Sequence, residues 1–235
     1  MNPIEIDKRA TLFVAEPLSL EGAMMQRIQE EFSGVLDLVP SYSKRYQLKF
    51  AQTGVDTSEE KSIEMKRVDD SLRVTFDRNR IDVFSTEGNT LQEFVEIFNQ
   101  LKMVLERIEI KNFRRIAMCH QTYYDCSEEQ FDACYRYVFR EPANACVEWN
   151  AQRVSREPIA EGAELLLNDI VMLGRVLNAN VNGQLINDKL LLNLDINTIP
   201  GSNIDQVNDN LDLFFNRAIE LIERHERSIS GIFTE

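Results

Sequence analysis

The feature of this sequence that most restricts its fold is the order in which two hydrophobic periods alternate along it. A period of two marks a half-buried strand, and a period near 3.6 marks a helix with one apolar stripe. Residues 9–15 read as a strand, and Pro17 with Ser19 opens a helix carrying Leu20, Met24, Ile28 and Phe32. Past Pro40, Tyr46, Leu48 and Phe50 alternate with polar residues. So do Ile63 with Met65, Leu72 with Val74 and Phe76, and Ile81 with Val83, which predicts three or four antiparallel strands. The links Val68-Asp69-Asp70-Ser71 and Asp77-Arg78-Asn79-Arg80 are short and polar, as hairpin loops are, while residues 53–61 (TGVDTSEEK) are expected to form a loop. Thr90 and Glu93 then make a capping-box pattern ahead of a stripe of Leu91, Phe94, Val95, Phe98, Leu101, Leu105 and Ile108.

The second half runs through the same order. Residues 113–119 predict a strand, and Ser127 with Gln130 caps a helix facing inward with Phe131, Cys134 and Val138. Residues 145–154 predict a strand with Val147, Trp149 and Ala151 on one face. Ile186-Asn187-Asp188-Lys189 reads as a hairpin turn whose second arm is residues 190–196. Asn203 with Gln206 starts the longest helix, with a stripe of Ile204, Val207, Leu211, Phe214, Phe215, Ala218 and Ile222. Residues 158–177 suit a buried helix or a strand, and periodicity leaves both open. Each half also places an Asp inside an apolar strand, Ile81-Asp82-Val83 and Leu194-Asp195-Ile196, and an Asn, Asn89 and Asn203, before its long helix. The expectation is an α+β protein: antiparallel sheet with long amphipathic helices on one face, in a tandem β-α-β-β-β-α duplication of residues 1–111 and 112–235.

Charge narrows the partners. The 26 basic and 39 acidic residues leave a formal charge of -13, and both halves share the acidic excess. Unspecific binding to nucleic acid or to an anionic membrane needs the opposite balance, so neither is expected as a partner. The N-terminal MNPIEIDKRATLF is charged where a secretory leader would be apolar, which predicts a cytoplasmic protein. The most apolar run, residues 165–177, is interrupted by Asp169 and Arg175, so no membrane-spanning segment is expected. The cysteines, Cys119, Cys126, Cys134 and Cys146, are then expected as reduced, buried thiols.

Familiar catalytic patterns are missing from the sequence. Its nine glycines form neither of the phosphate-cradling loops, and there is no G-x-S-x-G elbow or H-E-x-x-H helix. Cys119, His120, Cys126 and Cys134 fall close together, but structural zinc sites space ligand pairs two to four residues apart, and no metal or cofactor is expected. A Cys–His nucleophile pair could join Cys119 or Cys126 to His225 in space. Asp82 and Asp195 are candidates for an acid/base couple, with solvated carboxylates as the plainer reading. Lys111, Arg114 and Arg115, near Tyr123 and Tyr124, form a local basic cluster that suits an anion or nucleic-acid contact or, more plainly, offsets neighbouring carboxylates. Phe131, Tyr135, Tyr137 and Phe139 read as core aromatics.

Residues 192–234 carry an apolar strand ending in Leu194-Asp195-Ile196, a long helix, and His225-Glu226 followed by Ile229, Ile232, Phe233 and Thr234. Together with Phe113-Arg114-Arg115-Ile116 after the mid-chain helix, this resembles a family of sporadically distributed, uncharacterised bacterial proteins of similar length. The chain departs from that family at Ala117-Met118-Cys119, where the family continues with an aromatic and an asparagine. The resemblance implies a bacterial or phage origin and a mobile, regulatory or defence-associated role, and supplies no catalytic residues. Two functions follow as expectations: a non-enzymatic protein-interaction or regulatory protein, a homodimer among its forms, or an enzyme or small-molecule binder with a carboxylate and arginine site at the junction of the halves.

Overall fold

The structure, a computed structural model, describes residues 3–51, 54–86, 90–141, 147–181 and 184–233. Among them are nine strands and five helices: β1 (Pro3–Val14), α1 (Gly22–Ser33), β2 (Val39–Ala51), β3 (Gly54–Lys66), β4 (Leu72–Asp77), β5 (Arg80–Ser85), α2 (Leu91–Arg107), β6 (Phe113–Tyr124), α3 (Glu128–Phe139), β7 (Trp149–Pro158), β8 (Leu166–Val181), β9 (Gln184–Thr198), α4 (Ile204–Asp209) and α5 (Leu211–Ile232). The hydrogen-bonded strand order is β2-β3-β4-β5-β1-β6-β9-β8-β7 in an antiparallel sheet, which makes this an α+β chain. No helix is long and apolar enough to cross a membrane among the described residues.

The chain divides into two compact units. One comprises Met1–Lys8, Ala117–Ile199 and Asp212–Glu235, and the other Arg9–Ile116 and Pro200–Leu211, so β1 and β6 each contribute residues to both. In the second unit, Ile63, Met65, Leu72, Val74, Phe76, Ile81 and Val83 are buried as their alternation requires. Helix α2 covers them with Phe94, Val95, Ile97, Phe98, Leu101, Val104 and Leu105, and its Thr90–Glu93 capping box is formed. In the first unit, α3 starts on the Ser127–Gln130 box. The hairpin β8–β9 keeps one register from Leu167↔Thr198 to Val181↔Gln184. Gly174 lets β7 lie against β8, because a Cβ there would stand 2.7 Å from the Trp149 carbonyl oxygen.

Four sequence expectations are corrected. Residues 54–61 are strand β3 rather than loop, since the backbone pairs with β2 through Ala51↔Gly54, and pairing satisfies a polar segment as well as an apolar one. The expected turn at residues 186–189 lies inside β9. Asp188 does adopt a left-handed φ of 53°, but Arg175 holds its carboxylate with two hydrogen bonds of 2.7 and 2.8 Å, and the strand continues through it. Asn203 caps the short α4 and not the longest helix. The amide of Asn210 donates to the Gln206 carbonyl at the end of α4, the kind of local bond by which Asn competes with helix continuation, and the long α5 follows. The strand expected at residues 145–154 begins at Trp149 and runs to Pro158, and the ambiguous residues 158–177 resolve into a connection and the strand β8. Asn89 and Cys146 lie outside the described residues.

Candidate functional site

The odd-numbered residues of β7 and β8 share one face of the first unit's sheet, as register pairs Ala151↔Leu173, Arg153↔Val171 and Ser155↔Asp169. Over that face, α3 ends at Phe139 and the C-terminal half of α5 passes, and between them lies a cavity of ≈ 840 Å³. Its apolar lining includes Phe139, Val171, Leu173 and Ile229, and its polar lining Arg140, Arg153, Glu157, Arg224, His225 and Ser228.

The floor of the cavity is ionic. Asp169 is fully buried in the middle of the apolar run that begins β8. Both of its oxygens lie 2.9 Å from His225 Nε2, and it also accepts from Arg224 (3.0 Å) and from the Ser155 hydroxyl (3.4 Å). Burial alone would push the Asp169 carboxyl up. The His225 hydrogen bond and charge, with Arg224 and Arg153, outweigh that and hold it below the usual carboxylate range. An ionised carboxylate only accepts, so Nε2 of His225 carries the proton, and Nδ1 has no hydrogen-bond partner among the described residues. Arg224 also bonds Glu157 (2.9 Å), and Glu157 accepts from Arg217 (2.8 Å). Those arginines, Arg224 foremost through its hydrogen bond, hold the Glu157 carboxyl low.

A second histidine–carboxylate pair sits one residue along the same helix. His120, on β6 and almost fully buried, approaches Glu226 of α5 at 2.8 Å and Thr122 at 3.1 Å through Nε2, while its Nδ1 is buried without a partner. Helix α5 is thus fastened twice to the sheet of its unit, once with the histidine on the helix and once with the carboxylate there. A third cluster closes the far end of this face. Arg175 is buried over the Phe131 ring at 4.1 Å and binds both Glu128 (2.6 and 2.9 Å) and Asp188, which pushes its pKa further up.

Of the candidate catalytic residues singled out from sequence, only His225 lines the cavity, beside the aromatics Tyr137 and Phe139. Asp82 belongs to the other unit, where it accepts from Arg9 (2.7 Å) and Thr11 (2.6 Å) and forms an ion pair with Arg80 (3.0 Å). Asp195 lies in the first unit and accepts from Asn197 (2.9 Å), so the two aspartates have separate partners. Cys126 and Cys134 are each pushed up to about 12, first by burial, which leaves the thiols protonated. Among the described residues, no group of histidines, cysteines and carboxylates could hold a metal ion. Arg115 stacks over Phe13 at 5.1 Å, and Tyr135 and Phe139 pack on Trp149, whereas Tyr137 is half exposed at the cavity.

Asp169, Arg224, Glu157 and Glu226 escaped the reading for motifs because their partners are 14 to 106 positions away. One signal was available. Asp169 and Arg175 interrupt an apolar run, and a charge at a core position is rare unless it is paired. No protein-family model matches this sequence, and no curated protein matches it.

Proposed function

We propose that this chain is a non-enzymatic, regulatory small-molecule-binding protein whose ligand occupies the cavity of the first unit. The single observation that carries the reading is that cavity: ≈ 840 Å³, with an apolar wall and a few converging polar groups, the combination that ligand sites share. A catalytic reading gains less support. The Ser228 hydroxyl is donated to the Arg224 carbonyl at 2.9 Å instead of to His225, His120 is shut away from solvent, and the Cys126 and Cys134 thiols stay protonated. The test is a thermal-shift screen of small molecules against the purified chain and against Ser228→Phe, a change at an exposed position that fills the cavity mouth. Ligands that raise the melting temperature of the parent and not of the variant support the reading. Ligands that stabilise both equally place binding elsewhere and sink it.

A protein partner, with a second copy of the chain as one candidate, is the alternative reading. It is favoured by β7, which ends the strand order and presents an exposed Val154. Light scattering that gives a monomer at every concentration tested would remove the homodimer from it. The resemblance to sporadically distributed bacterial proteins and a cytoplasmic location fit either reading. We also read the two halves as a tandem duplication. The support is topological: β1 pairs with β5, the last strand of its half, as β6 pairs with β9. Superposition of residues 9–111 on 113–229 that fails to match α2 with α5 would overturn it.

A further inference from the structure

The cavity has the wrong sign for this protein. The chain as a whole carries 39 acidic against 26 basic residues, yet the cavity lining collects Arg140, Arg153 and Arg224 against Glu157, with Asp169 buried beneath as the second carboxylate. A local reversal of charge inside a concave site concentrates field lines and selects ligands of the opposite sign. The three arginines are not equivalent. Arg224 is held between Glu157 and Asp169, and its charge is already matched. The guanidinium groups of Arg140 and Arg153 make no ion pair or hydrogen bond with any described residue, although both residues line the cavity. Beside these charges, Phe139, Val171, Leu173 and Ile229 offer apolar surface to which no ion would be drawn.

From this division we infer that the ligand is an amphipathic anion: a carboxylate or phosphate monoester carried on an apolar body. The oxyanion lies at Arg140 and Arg153 and the body lies against the apolar wall. Arginine suits this task because its planar fork binds carboxylate and phosphate oxygens in pairs. The volume of ≈ 840 Å³ exceeds what a bare anion needs and falls within the range of drug-sized ligands, so inorganic phosphate alone would leave most of it unfilled. This assignment rests on the small-molecule reading above and goes one step past it, to the ligand class.

The experiment is a calorimetric titration of the full chain with octanoate, octyl phosphate, octanol and inorganic phosphate, repeated on Arg153→Gln and on the double variant Arg140→Gln with Arg153→Gln. Both positions are exposed, so the variants should fold, and circular dichroism checks that they do. The expected result is saturable 1:1 binding of octanoate or octyl phosphate, weakened about tenfold or more in Arg153→Gln, with octanol at least about tenfold weaker than the better anion. Which anion binds better tells carboxylate from phosphate monoester. Octanol binding as tightly as both anions, or anion affinity unchanged in the double variant, overturns the ligand class while leaving the cavity reading intact. Absence of saturable binding by either anion also overturns the class, and the cavity reading is then decided separately by the Ser228→Phe comparison.

Discussion

The two units use similar elements and fill them differently. In the unit containing α2, the cavity near Leu12, Phe98 and Leu105 amounts to ≈ 60 Å³, whereas the unit containing α3 and the greater part of α5 keeps ≈ 840 Å³ open. The cause is visible in the helices. The sheet-facing side of α2 is phenylalanine, leucine, isoleucine and valine along its whole length. Helix α5 begins in the same manner with Phe214, Phe215, Ala218, Leu221 and Ile222, then presents Arg224, His225 and Ser228 where another apolar turn would have closed the space. Their buried aspartates differ likewise. Asp82 is matched by Arg9 and Arg80, whose side chains are 42% and 43% exposed, while Asp169 is fully enclosed and leans on His225, itself buried. The concavity of the first unit is open to solvent, and ion pairs through Arg224, Glu157 and Asp169 stand where the other unit has close apolar packing.

That contrast can be broken by mutation, and Trp149, the chain's one tryptophan, reports on the hollow unit by fluorescence. The largest effect is expected from Phe98→Ala, which empties a filled core and should cost about 3 to 5 kcal/mol in urea denaturation followed by circular dichroism. Val171→Ala, on the wall of the existing cavity, should cost under about 1 kcal/mol, because little packing is lost there. Equal costs would mean the cavity closes in solution. Next comes Asp169→Ala, expected to cost about 3 kcal/mol through the stranding of His225 and Arg224, against about half that for Asp82→Ala, whose exposed arginines regain water.

The pH dependence follows in size. Asp169 has its carboxyl held below its ordinary value of 3.8, so its contribution is complete above that value and is lost as pH falls through the lower folded value. Trp149 fluorescence should therefore show the hollow unit losing stability below about pH 4, and Asp169→Asn should remove this component of the loss. A parent and variant with parallel profiles would show that the carboxylate is not the group responsible. The smallest effects should come from the two capping boxes. Thr90→Ala on α2 and Ser127→Ala on α3 should each cost about 1 kcal/mol, and near-equal values would place the difference between the units in their interiors and not in their helix ends.

Much of the fold could be read from local pattern because the responsible interactions are local. Capping boxes act over three residues, as at Thr90–Glu93 and Ser127–Gln130, and alternation acts over two, as along Leu72, Val74 and Phe76. Reading failed where a distant partner overrode a local preference. Asp188 looks like a turn residue and stays in a strand because Arg175 holds its carboxylate, and residues 54–61 look like a loop and pair with β2. The site was the least legible part, since it is assembled from one charge on β8, two residues on β7 and three on α5 whose spacing in sequence has no period. Of its ionic groups, His225 alone was read as a candidate for chemistry, and for a different partnership.

The shared strands have a consequence for how the chain is made. The hollow unit takes its first residues from Met1–Lys8 and its last from Asp212–Glu235, with all of Arg9–Ile116 in between. Synthesis makes Met1–Lys8 before Arg9–Ile116 and Asp212–Glu235 after them, so this unit stays incomplete until α5 has been made, when nearly all of the filled unit already exists. Its formation joins segments far apart in sequence, with the loop entropy that such a closure entails. The cavity is completed only with α5, and a product truncated before α5 would carry most of the filled unit and lack Arg224 and His225.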